Sequence, residues 1–252
     1  MIQLYGMSSP NVRKVVMALE EMGLAYEPYH IAVFRARQFE EDFLALNPMA
    51  KVPVICDPDG PAGDEPIFES GAILIYLAES YGPQFLPAGG PARYAVLKWL
   101  VLQVANAGPA FGNHSHFRHQ HEANAYAARR FRHMAAQVYR ALERRLGEAE
   151  WLGGDAYSIA DMAAWPWARY LVRHGMEAAE FPRLIAWGTR IAERPAAIRA
   201  DAVIRKFGDQ DSIDRKEATA EEREKFLGLH IRAPSAQAAA AVMTETERNS
   251  HG

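Results

Sequence analysis

The 252-residue chain is 49% hydrophobic and 23% charged, with a formal net charge of -3, a globular composition long enough for one large domain or two modest ones. Near-balanced charge gives no electrostatic ground for nucleic acid or an anionic membrane as partner, and no run of about 18 apolar residues predicts a membrane span. Cys56 is the only cysteine, which excludes an intrachain disulfide and suits a reducing, cytoplasmic compartment; "MIQLYG" runs into Arg13 and Lys14 rather than into the apolar stretch of a signal peptide.

In chain order, "IQLYG" predicts a strand, and Val12, Val15, Val16, Leu19 and Met22 then fall on one helical face. Ser9 is placed to cap that helix, Pro10 suits its first position, and Gly23 closes it. "AYEPYHIAV" predicts a second, parallel strand, and a helical stretch follows around Phe39 to Leu46. "KVPVICD" and "PIFES", separated by the turn-rich "PDGPAGDE", predict a hairpin, and Ser70 is expected to cap the helix "GAILIYLAESYG". These elements spell a βαβαββα module over residues 1–83.

"GPQFLPAGGP" concentrates Gly and Pro without periodicity and suits a linker. An all-helical domain is expected over 91–207. Tyr94, Leu97, Val101 and Val104 predict one apolar face; Phe131, Met134, Val138, Leu142 and Leu146 predict another. Ser158 and Asp161 have capping-box spacing, with Tyr157 and Met162 as a hydrophobic staple, and "FPRLIAWGTRIAERP" predicts a further helix. In the extension, 208–252, Thr219 and Glu222 predict a short capped helix, and the stretch past about Ala233 has too little apolar bulk to pack, so the extension is expected to be partly disordered.

The module with "VPV" before its third strand and "FES" before a helix, followed by helices, resembles the cytosolic glutathione transferases over about residues 1–207. "SPN" at 9–11, "RQFEEDFLALNPMAKVPV" at 37–54, "FESGAILIYLAE" at 68–79, "GNHSHF" at 112–117 and "WLGGDAYSIADMAAWPW" at 151–167 are similar to the Nu class, a bacterial group that includes glutathione-dependent disulfide reductases. The resemblance implies a thioredoxin-like α/β domain followed by an all-α domain, glutathione as co-substrate, and a homodimer.

It also implies site residues. Glu69 and Ser70 would receive the γ-glutamyl carboxylate and amine at a helix N-terminus, and Val52, through a cis bond to Pro53, would offer its backbone to the cysteinyl part. Gln38 and Lys51 match ligand-facing positions, and Arg130 matches an arginine that reaches the tripeptide. The turn "MSSPN" lacks the Cys-x-x-Cys pair of thioredoxins, so the reactive sulfur would come from glutathione. Ser9 would donate to that thiolate with Asn11 as helper, while Ser8 would be a turn residue.

Cys56 sits in an apolar strand where a buried thiol is inert. "NHSHFRHQH" carries four histidines. Without a nearby cysteine, and with the matching family segment not a metal site, a second-substrate cleft at Asn113, His114 and His116, or a dimer interface, is expected and no metal.

The expected activity is reduction of small disulfides through bound glutathione. Conjugation or ether cleavage of an aromatic electrophile, and a non-catalytic binding protein of the same fold, are the alternatives.

Overall fold

A computed structural model describes residues 1–119 and 124–229; the expected disorder past Ala233 falls outside these residues, as do part of the histidine-rich segment and its His121.

The N-terminal part runs β1 (Ile2–Gly6), α1 (Pro10–Glu21), β2 (Tyr26–His30), α2 (Glu41–Leu46), β3 (Val54–Asp57), β4 (Gly63–Phe68) and α3 (Ser70–Tyr81). The sheet order is β2-β1-β3-β4, with β1 parallel to β2 and the other pairs antiparallel. Val12, Val15, Val16 and Leu19 of α1 are fully buried, as the helical spacing requires. Gly23 closes the helix at φ +65, a conformation that favours glycine. The hairpin is longer than expected: β4 begins at Gly63 inside the predicted turn, with Asp57 opposite Gly63 and a register shift between Ile55 and Asp57.

The helical part comprises α4 (Gly90–Leu102), α5 (Gly108–His119), α6 (Ala125–Arg145), α7 (Ile159–Ala168), α8 (Pro182–Ala192), α9 (Pro195–Glu217) and α10 (Ala220–Leu227). Gln103–Ala107 forms one π-helical turn between α4 and α5. This is an α/β thioredoxin-like domain followed by an all-α domain, sharing one hydrophobic core that runs from Leu4 through α1 to Trp165 and Trp187. α1 is the hinge of the packing, lying against α3, α7 and α9.

α7 holds the helical part together. Ser158 and Asp161 form the predicted capping box, and the fully buried Asp161 carboxylate also accepts from Leu152 N and Trp187 Nε1, each at 2.9 Å. Burial pushes its carboxyl up, and these hydrogen bonds pull against that push. The Thr219–Glu222 box of α10 also forms.

Two expectations are corrected. On α4, Tyr94 and Val101 are 70% and 57% exposed, and the buried positions are Val96 and Leu100. The helix carries apolar residues on two faces, and packing against α7 selects the other one. Ser70 is the first residue of α3 rather than its cap. β4 hands over directly to the helix, so the chain turns at Glu69, which occupies the cap position at φ 63 without a side-chain capping bond.

Candidate functional site

Val54, the first residue of β3, pairs with Tyr5 near the end of β1 and with Phe68 at the end of β4. The β1–α1 turn, the Val52–Pro53 segment and the Glu69–Ser70 junction therefore emerge at one end of the sheet, and α1 and α3 both begin there. Two helix N-termini bring unbonded N–H groups and positive dipole ends to the same place, the electrostatics an anion needs. The turn into α1 depends on Gly6, where an added Cβ would lie 2.6 Å from Val12 Cγ1.

Ser9 caps α1, its Oγ accepting from Val12 N at 3.2 Å. Accepting leaves the hydroxyl proton available to donate. Asn11 Oδ1 accepts from Trp167 Nε1 at 3.1 Å, which turns its Nδ2 protons into the donors a ligand could use. Ser8 is more than a turn residue: its N–H donates to Asp211 Oδ2 at 2.9 Å, its hydroxyl donates to the same oxygen, and His30 Nε2 lies 2.8 Å from Asp211 Oδ1. Burial raises the Asp211 carboxyl, but the bonds from His30 and Ser8 outweigh it and hold the group below its usual range. His30, Asp211 and Asp214 place ligand-type atoms within 4.8 Å of one another, although both Asp211 oxygens are already engaged.

A cavity of about 600 Å³ opens beside Ser9 and Asn11, lined also by Met7, Gln38, Lys51 and Val52. Gln38 is 5% exposed and its Oε1 has no donor among the described residues, a cost that a ligand N–H would remove. The Val52–Pro53 peptide is cis, Pro53 is buried and Lys51 is exposed. Asn47, which sequence reasoning missed, shapes this loop: it is 2% exposed, its Nδ2 donates to Lys51 O at 2.7 Å and its Oδ1 accepts from Met49 N at 3.0 Å. The signal was the Asn-Pro turn dipeptide in "LNPMAKVPV".

Also missed were Lys225, Phe226, Leu227 and Gly228, which form the far wall of the cavity. α10 is held there by Phe226 against Phe34, ring centroids 4.7 Å apart, and by Glu222 near Arg35. Glu69 is exposed and Ser70 buried at the sheet end just described. Behind them Lys14 is 1% exposed and its Nζ donates to Gln103 Oε1 at 2.6 Å. Burial pulls the Lys14 ammonium down to about 7, against an opposing pull from Glu69.

Several expected residues fall elsewhere. Arg130 is exposed on α6 and lines a separate cavity with Tyr126, Arg129, His133, Met134 and Gln137. Asn113, His114 and His116 line neither the cavity beside Ser9 nor the one that Pro10 and Trp167 line. Asn113 Nδ2 donates to Pro109 O, His116 is exposed against Phe117, and His114 is 4% exposed with Nε2 donating to His174 O at 3.0 Å. The helical phase of α5 turns Gly112, Ser115 and Arg118 toward the second cavity, about 360 Å³, which Pro10 and Trp167 also line. Cys56 is half-buried rather than buried, and desolvation raises its thiol, which disfavours the thiolate.

Residues 8–80 match the family model for the glutathione S-transferase N-terminal domain, and residues 110–195 match that for the C-terminal domain. The chain belongs to the glutathione S-transferase family. Among its relatives, the disulfide-bond oxidoreductase YfcG of Escherichia coli is 39% identical over 215 residues, covering 84% of this chain and 99% of the relative. A glutathione transferase family member from Pseudomonas fluorescens, solved with two glutathione bound, is 37% identical at a TM-score of 0.72, covering 79% of this chain and 91% of that one. A glutathione transferase from Pseudomonas putida, solved with one glutathione disulfide per subunit, is 35% identical at a TM-score of 0.73, covering 79% and 90%.

Proposed function

We propose that the protein is a glutathione-dependent disulfide reductase of the Nu class in which glutathione supplies the reacting sulfur. The observation that carries this reading is the Ser9 hydroxyl, which caps α1 with its proton still available, beside the cis Val52–Pro53 segment and the unpartnered Gln38 Oε1. In the reaction, the glutathione thiolate attacks one sulfur of a small disulfide, forming a mixed disulfide and releasing a thiolate. A second glutathione thiolate then releases the other half and leaves glutathione disulfide.

Each residue has a part. Ser9 and Asn11 donate to the thiolate; Val52 offers its backbone N–H and C=O to the cysteinyl part, positioned by Pro53. Gln38 and Lys51 hold the polar backbone and carboxylate, while Glu69 takes the amine and Ser70, through its N–H and hydroxyl, the γ-glutamyl carboxylate. Arg130 lines a different cavity, so a homodimer is the assembly through which it could reach the tripeptide. The exposure of Tyr94, Val101 and Tyr126 supports such an interface.

The reading places the glutathione-binding domain at 1–83, the helical domain at 91–207 and the extension at 208–252. It assigns the cytoplasm, a small-molecule disulfide or electrophile as second substrate, and neither metal, nucleic acid nor membrane. Among the described residues no helix is long and apolar enough to cross a membrane.

The aromatic walls of the second cavity, Trp167 and Tyr170, favour conjugation of an aromatic electrophile as a second reading. Turnover of 2-hydroxyethyl disulfide with excess glutathione, above the uncatalysed rate, is the expected result. Turnover of a chlorodinitrobenzene alone would favour the second reading, and absence of glutathione binding by calorimetry would overturn both.

A further inference from the structure

Three arginines, Arg118, Arg173 and Arg215, are among the residues that line the second cavity. Several arginines around α1 and α9 have carboxylate partners: Arg13 and Arg169 share Asp201, Arg194 pairs with Glu21, and Arg199 with Glu20. Among the described residues none of the cavity's three makes an ion pair. Arg118 donates to the Arg173 carbonyl, Arg173 lies 5.3 Å over the Tyr170 ring, and Arg215 lies 3.9 Å over the Phe34 ring. These contacts orient the groups and leave their charge uncompensated.

His174 also lines this cavity. Burial lowers the His174 imidazolium to about 4, with Arg118, Arg173 and His114 pushing the same way. Trp167 and Tyr170 give the cavity two aromatic walls, Pro10, Gly112 and Ser115 complete the lining, and the volume of about 360 Å³ suits one or two fused rings. Pro10 of this cavity stands between Ser9 and Asn11 in the chain, which line the other cavity, and Trp167 Nε1 donates to Asn11 Oδ1.

We propose that the cavity lined by Trp167, Tyr170, Arg118, Arg173 and Arg215 binds aromatic carboxylates, so that the second substrate of this enzyme is an anionic aryl compound. The rings stack on the aromatic walls, the carboxylate is received by the guanidinium forks, and the reacting atom lies toward Ser9. The position next to the reacting sulfur rests on the glutathione reading; the anion selectivity does not.

The test is calorimetry on the glutathione-loaded full-length protein with 2-naphthoate and with 2-naphthamide, its uncharged shape match. The carboxylate is expected to bind about ten-fold or more tightly. Arg173→Gln and Arg118→Gln, both exposed positions whose replacement leaves the core intact, should each shrink that ratio several-fold without altering glutathione affinity. Equal affinity of the two probes, or a ratio unchanged in both variants, would overturn the proposal. If 2-naphthoate is preferred while 2-hydroxyethyl disulfide is not turned over, the anion site stands and the disulfide reading falls; disulfide turnover without the preference removes the anion site alone.

Discussion

Ser8 and Ser9 are adjacent hydroxyls with different work. Ser9 accepts from Val12 N and retains a proton to give, whereas Ser8 gives its proton to the buried Asp211 carboxylate of α9. Ser9→Ala should lower turnover by about ten-fold through loss of one hydrogen bond to a charged sulfur, with KM for glutathione within about two-fold. Ser8→Ala should keep its turnover and lose about 1 to 2 kcal/mol of stability in denaturant melts, because it strips a bond from a buried carboxylate. The capping role of Ser9 could be read from local spacing, since a cap, a proline and a periodic apolar face lie within a few residues. The role of Ser8 could not, because its partner lies 203 residues away.

At the scale of elements, both capping boxes were readable, the start of α3 was not, and burial faces were only partly so. α1 carries a single apolar stripe, so its orientation followed from sequence. α4 carries two, and the choice between them is made by α7. The phase of α5 misled in the same way: three polar residues close in sequence, Asn113, His114 and His116, point in different directions once wound into a helix, and His114 ends in the core. The site's pH response belongs to this scale too, because Lys14 of α1 is sealed against Gln103 at the π-helical turn. Its folded value of about 7 lies below its ordinary 10.5. Between the two the unfolded chain binds the proton and the folded chain does not, so stability rises with pH through that window, and below it the buried charge carries its full cost. Thermal melts should show the wild type gaining stability from about pH 7 to about pH 9 relative to Lys14→Met, which lacks the titrating group.

At the scale of the molecule, the chain returns to its own beginning. α9 runs unbroken through residue 207, carrying Asp211 to Ser8 and His30, and α10 then closes the cavity beside Ser9 with Lys225, Phe226 and Leu227. The fold was legible because strand pairing and helix capping leave short-range marks, whereas the residues expected at the site came from the family resemblance, and Ser9, Asn11, Gln38, Lys51 and Val52 line one cavity. The closing wall was not, because its contacts join residues about as far apart as the chain allows. Phe226→Ser should loosen α10 from Phe34 and raise KM for glutathione by about three-fold to ten-fold, with kcat changed far less, as for loss of uniform binding.

The central claim is that the protein steadies a borrowed thiolate through Ser9. It is tested most directly by titrating bound glutathione through the ultraviolet absorbance of its thiolate. A sulfur pKa at least about one unit below the ordinary thiol range near 8.5 is expected in the wild type, returning toward that range in Ser9→Ala. A bound sulfur that titrates like free glutathione in both proteins would contradict it.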